Sequence, residues 1–126
     1  MPPSSIVVPE FPFSNPPPLT DRIQQFYDES SQLWEQVWGE HMHHGYYGVD
    51  GQGVVDSPQV AQQELIEELL RWGHVDAPQS VLDVGCGIGG STLYLASKYR
   101  ATATGITLSP VQADRATARA KKAGLG

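Results

Sequence analysis

The sequence predicts an α/β fold in which helices precede the start of a βαβ-type parallel sheet. Three observations carry this. A short apolar strand, Ser80 to Val84, runs directly into the glycine-rich turn Gly85, Cys86, Gly87, Ile88, Gly89 and Gly90. A second stretch rich in β-branched residues, Thr102 to Thr107, follows after room for one helix. Serine–proline pairs at Ser57–Pro58 and Ser109–Pro110 read as a helix cap followed by the first helical residue.

The elements follow in order. Seven of the ten prolines lie in residues 2 to 18, so residues 1–19 are expected to form a disordered or polyproline-like leader. Regular structure should begin at Thr20 as N-cap, with Ile23, Phe26 and Tyr27 at helical spacing. Leu33, Trp34, Val37 and Trp38 continue that stripe, with a soft break expected at Ser30 and Ser31. Gly39 to Gly53 mixes five glycines with aromatics and histidines and reads as irregular. Residues 20–56 are therefore taken as a lid, and residues 57–126 as the start of a cofactor-binding domain.

In that second part a helix capped by Ser57 should bury Leu65, Ile66, Leu69 and Leu70 and stop at Gly73. The first strand and the glycine turn come next, then a helix from about Ser91 with Thr92, Leu95, Ala96 and Tyr99 on one side. After the second strand, Ser109 caps a last helix whose Ala113, Ala116, Ala120 and Ala123 form a small-residue face ending near Gly124. Two parallel strands make a poor core, and the chain stops at Gly126 where a third strand is expected, which predicts a piece of a longer α/β protein.

Composition excludes several classes. The 126 residues carry 8 Lys and Arg against 14 Asp and Glu, a net charge of −6 that argues against general nucleic-acid affinity. The charge divides as −10 over residues 1–80 and +4 over residues 81–126, and the bases Arg115, Arg119 and Lys122 recur at helical spacing as a solvated helix face. The lone Cys86 rules out an internal disulfide or a Cys-rich zinc module. Ile6 to Val8 is the longest aliphatic run of the first thirty residues. That is far short of the roughly 20 apolar residues of a membrane span or the about 7 to 15 of an export signal.

Gly85, Gly87 and Gly90 satisfy G-x-G-x-x-G after a strand and at the opening of a helix, the context in which such a loop receives a nucleotide cofactor. A glycine-rich turn with no ligand is the plain alternative. The neighbours narrow the choice of ligand. A dinucleotide usually meets an acid at the end of the second strand, and here that strand ends Gly105, Ile106, Thr107, Leu108. Asp83, two residues before the first glycine, would repel a pyrophosphate and suit cationic groups such as the ammonium and sulfonium of S-adenosyl-L-methionine.

Val81 to Gly90, V-L-D-V-G-C-G-I-G-G, resembles motif I of class I S-adenosylmethionine-dependent methyltransferases. Tyr27 to Gly48, with its W-G-E-H-M-H-H-G-Y-Y-G core, and Gly105 to Gln112, G-I-T-L-S-P-V-Q, resemble the corresponding blocks of gamma-tocopherol methyltransferases. The resemblance spans about residues 20 to 126 and implies a Rossmann-like sheet. It implies that Asp83, Gly85, Cys86, Gly87 and Gly89 cradle the methionine part of the cofactor, and that Thr107, Leu108 and Gln112 meet its ribose and adenine side. An exposed helix position is the plain alternative for Gln112. His44 and Gly45 would lie on the lid over the methyl donor.

The resemblance further implies a tocopherol-like lipophilic acceptor methylated on an aromatic carbon, no nucleic-acid partner, and a plastid or thylakoid setting with peripheral membrane contact. Small amines, sterols and prenylated quinols are alternative acceptors, and a nicotinamide-dependent oxidoreductase or an inactive fragment are alternatives of another kind. His41 and His43 are candidate bases. Three histidines within four residues cannot all face one ion from a single regular element, so His41, His43 and His44 are not expected to hold a metal. Trp34, Trp38, Tyr46 and Tyr47 either line an apolar substrate mouth or pack the lid.

Overall fold

The computed structural model describes residues 17–126; the leader expected over residues 1–19 lies mostly outside the described residues. Helix α1 spans Leu19–Trp38, α2 Pro58–Trp72, strand β1 Ser80–Val84, α3 Gly90–Tyr99, β2 Thr102–Ile106 and α4 Pro110–Lys122. The two strands pair in parallel, Ser80 against Thr102 through Val84 against Ile106. Residues 39 to 57 form neither helix nor strand.

Caps explain the helix starts on the sheet side. The Ser57 hydroxyl accepts the Val60 N–H and Pro58 holds the first helical position of α2; Ser109 accepts the Gln112 N–H and Pro110 does the same for α4. Helix α1 starts differently from expectation: Pro18 is its N-cap without a side-chain bond, and Thr20 lies inside the first turn. Proline's fixed φ suits this edge position, and the Pro18 carbonyl accepts from Asp21 and Arg22. Nor does the helix break at Ser30 and Ser31. Both hydroxyls donate back to carbonyls four residues earlier, Phe26 and Tyr27, so the serines satisfy themselves along the helix instead of ending it.

The face of α2 is also corrected. Ala61, Gln62 and Ile66 are buried, whereas Leu69 is 59% exposed. Packing turns the helix so that its inner stripe runs through a glutamine, which a hydrophobic count cannot anticipate. Gly73 does cap α2, but the left-handed residue is His74, at φ 55.

One sheet face is covered and the other is not. Val81, Asp83 and Ala103 are half-buried toward the helices, while Leu82, Val84 and Ile106 are exposed. Among the described residues the buried apolar side chains are few: Ala61, Ile66, Ile88, Leu95 and Ala101. On the helical side α2 is tied to α3 by the Glu67 carboxylate, which accepts from Tyr94 and Tyr99 hydroxyls at 2.8 and 2.7 Å and pairs with Lys98 at 2.9 Å.

Helix α1 lies on α4. The Ser109 hydroxyl donates to Asp28, and Arg115 pairs with Glu35. Arg119 donates to the Ile88 carbonyl at 2.9 Å. The basic stripe of α4 is therefore not a solvated face: two of its three members reach across to elements some thirty to eighty residues earlier, and only Lys122 stays exposed. Among the described residues no helix is long and apolar enough to cross a membrane.

Candidate functional site

The turn after β1 is shaped by glycine. Gly85, Gly87 and Gly89 adopt φ of 78, 56 and 82°, left-handed conformations that side chains rarely tolerate. The Gly85 and Cys86 N–H groups both donate to the Ile106 carbonyl, so the turn is latched to the end of β2. Where a Gly85 Cβ would stand there is open space, and a small cavity of about 110 Å³ lies there. Asp83, Gly85, Gly87, His41, His43 and Ser91 are among the residues that line it.

Asp83 is half-buried and accepts the Thr92 hydroxyl at 2.7 Å, which fixes one carboxylate oxygen from α3. Cys86 is held by fit: a Cβ on Gly105 would come within 2.8 Å of its Cβ and Sγ. Burial, and then the Asp83 charge, push its thiol above the ordinary value, the reverse of what a nucleophile needs.

The opposite wall comes from the irregular histidine segment. Met42 Sδ would lie 3.6 Å from a Cβ on Gly87, and the Gln112 amide nitrogen approaches the same sulfur at 3.8 Å. Gln112 is 4% exposed, so the exposed-residue alternative for it is overturned; its Oε1 accepts from Thr107 at 2.9 Å. Thr107 and Gln112 thus form one unit at the end of β2, joined to the glycine loop through Met42. Gly89, Cys86 and Thr107 also border a separate space of about 430 Å³ between α3, β2 and the alanine face of α4.

The three histidines diverge. His43 faces the small cavity, with Nε2 3.4 Å from the Ser91 hydroxyl and Nδ1 2.8 Å from the His44 carbonyl. His44 points away, its ring edge-on to Trp38 at 4.9 Å. The Gly45 backbone lies against Ala61, where a Cβ would come within 2.9 Å of the Ala61 carbonyl carbon. His44, Gly45 and the 57% exposed Leu108 are therefore not gathered with the glycine-loop residues.

His41 is 4% exposed and its Nδ1 has no hydrogen-bond partner. Burial, then the neighbouring His43 and Arg119 against the opposing pull of Glu40, lower its pKa to about 4. A lowered histidine stabilises the fold only while neutral. Its contribution is complete above about pH 6.5 and is lost as pH falls toward about 4, because the unfolded chain takes up a proton that the folded one does not. Urea titrations at pH 7 and 4.5 should show a loss of about 2 kcal/mol that H41N lacks. Equal slopes in both proteins would refute the buried neutral ring.

The structure brings together the loop, Asp83 and, through Met42, Gln112, and adds Met42 and Thr92, which the sequence does not single out. The only available signal for Met42 was its place inside the histidine block; for Thr92 there was none, because the glycine turn lies between it and Asp83 and spacing does not give the path of that turn.

A parallel strand pair feeding a glycine turn at the start of a helix, with a carboxylate beneath the turn, defines a nucleotide-cofactor-binding α/β domain. The chain belongs to the mycolic acid cyclopropane synthetase family, whose sequence profile matches residues 16–126. It is 53% identical to a probable chloroplastic tocopherol O-methyltransferase of Oryza sativa subsp. japonica, over 87% of this chain and 32% of that protein. It is 50% identical to the chloroplastic tocopherol O-methyltransferase of Arabidopsis thaliana, over 78% of this chain and 30% of that protein. The chain thus spans about a third of the length of these relatives.

Among solved structures it resembles the [4+2]-cyclase SpnF, with a TM-score of 0.71 and 34% identity over 88% of this chain and 40% of that one. A geranyl diphosphate methyltransferase in complex with GPP and sinefungin gives a TM-score of 0.63 and 25% identity, over 86% and 45%. The fold is accordingly part of the Rossmann-like fold of class I methyltransferases.

Proposed function

We propose that the whole protein is an S-adenosylmethionine-dependent methyltransferase acting on an aromatic ring carbon of a tocopherol, gamma or delta, or of a related prenylated quinol. The observation that carries the reading is the meeting of the Asp83 and glycine-loop cradle with the histidine segment, in a chain half identical to two tocopherol methyltransferases. The residues fit this donor: a carboxylate under the turn suits an ammonium group, and the missing Cβ at Gly85 leaves open space for a ligand to approach backbone. When bound, S-adenosylmethionine supplies an electrophilic methyl group.

Each residue then has an assignment. Asp83, Gly85, Cys86, Gly87 and Gly89 hold the amino-acid end; Thr107, Leu108 and Gln112 serve the ribose and adenine side; His44 and Gly45 belong to the lid. Both candidate bases border the small cavity, but the buried His41, its pKa lowered to about 4, is too weakly basic to take a phenol proton at neutral pH, which leaves the half-buried His43. Proton removal by His43 would raise the nucleophilicity of the ring carbon. Positioning and exclusion of water supply the remaining acceleration.

Peripheral contact with a plastid or thylakoid membrane follows from a lipophilic acceptor and the chloroplastic relatives. The second reading, an amine acceptor, draws on 34% identity to the norajmaline N-methyltransferase of Rauvolfia serpentina. Labelled methyl transfer by the full-length protein decides between them. Product from gamma-tocopherol is expected, and turnover of an amine without tocopherol product would overturn the acceptor while leaving the class intact.

A further inference from the structure

We infer that Gln62 is the positioning residue of the histidine segment, holding residues 38 to 46 over the glycine loop and thereby setting affinity for the methyl donor. This inference rests on the functional reading above. A glutamine on the buried stripe of α2 has no hydrophobic reason to be there, yet Gln62 is only 4% exposed. Its amide nitrogen donates to the His41 carbonyl at 2.9 Å and the His43 carbonyl at 3.0 Å, with the Trp38 carbonyl at 3.5 Å.

The physical need is plain. Residues 39 to 57 have no helix or sheet ladder, so carbonyls buried there require donors from elsewhere. The preceding residue completes the hold: the Ala61 carbonyl accepts the Tyr46 N–H at 2.7 Å, and Gly45 abuts Ala61. Two successive residues of α2 therefore grip both ends of the segment. Met42 lies between the two carbonyls that Gln62 engages, and Met42 is the side chain that bridges Gly87 and Gln112. His43, whose carbonyl is the second anchor, lines the small cavity together with Asp83. The Gln62 Oε1 is buried without a partner, so the side chain engages the segment through its amide nitrogen alone.

The test compares wild type with Gln62→Leu, which keeps the bulk but removes the donors, and the milder Gln62→Asn, which keeps the amide but shortens its reach. S-adenosylhomocysteine is titrated calorimetrically into the full-length proteins well below their melting temperatures, alongside amide hydrogen exchange. At least tenfold weaker binding is expected in a folded variant, with faster exchange at residues 41 to 46 and unchanged protection in α3 and α4. A role confined to stability would lower Tm and leave the folded-state affinity alone, so variants that bind within twofold of wild type would overturn the inference. If wild type itself binds no S-adenosylhomocysteine, the functional reading is what fails. Exchange at residues 41 to 46 then decides the positioning role by itself, and no change in either variant overturns it.

Discussion

Replacing Gly90 with alanine is expected to destabilise the protein by about 3 kcal/mol, the upper range for overpacking a site that cannot relax. The new Cβ would collide with the Glu40 carbonyl oxygen, stand 3.1 Å from its carbon and 2.8 Å from His41 Nδ1. Backbone lies on both sides of this contact: the first residue of α3 and the start of the histidine segment. Neither can give way without moving the glycine turn or lifting the segment from its groove. Urea unfolding should show a lower midpoint with unchanged slope, and Tm should fall by about 10 °C or more. Gly73→Ala serves as the control, because its nearest neighbour is the Leu69 carbonyl at 3.3 Å and its φ of −77° suits alanine. A Gly90→Ala protein as stable as that control would contradict the close apposition of α3 and the histidine segment.

Asp83→Asn is expected to weaken S-adenosylhomocysteine binding about 100-fold, equivalent to about 2.7 kcal/mol. That magnitude matches removal of one partner from a desolvated, hydrogen-bonded charge pair. The substitution isolates charge from structure. An asparagine oxygen can still accept the Thr92 hydroxyl that now lies 2.7 Å from the carboxylate, so Tm should change little. Affinity within threefold of wild type would mean that the carboxylate does not face the ligand's ammonium group, and the cradle assignment would have to move elsewhere in the groove.

Most of the fold's framework was legible in the chain because it is governed by local chemistry. Ser57–Pro58 and Ser109–Pro110 start helices where expected, since a cap hydroxyl and a preset φ act within one turn. The glycine loop falls between β1 and α3 because its left-handed backbone angles admit little else. The small-residue face of α4 is likewise borne out by the alanines that border the space against α3. The errors share a cause. Ser30 and Ser31 read as a break because isolated serines favour caps, but each closed its hydrogen bond along the helix. Arg115 and Arg119 read as solvated because spacing cannot reveal that Glu35 and the Ile88 carbonyl wait across the interface.

The sequence by itself determined the order of elements, the glycine turn with its underlying carboxylate and, through its motifs, the family to which the chain belongs. Those rest on contacts within a few residues or on motifs read in one line. Only the tertiary structure decided that His41 and His43 border the small cavity while His44 turns to Trp38, that His41 is buried and neutral, that Met42 joins Gly87 to Gln112, and that a glutamine of α2 holds the irregular segment in place. Those depend on groups about 20 to 70 residues apart meeting in space. Their chemistry is set by burial and by the partner each finds there, and neither is written in the spacing of the chain.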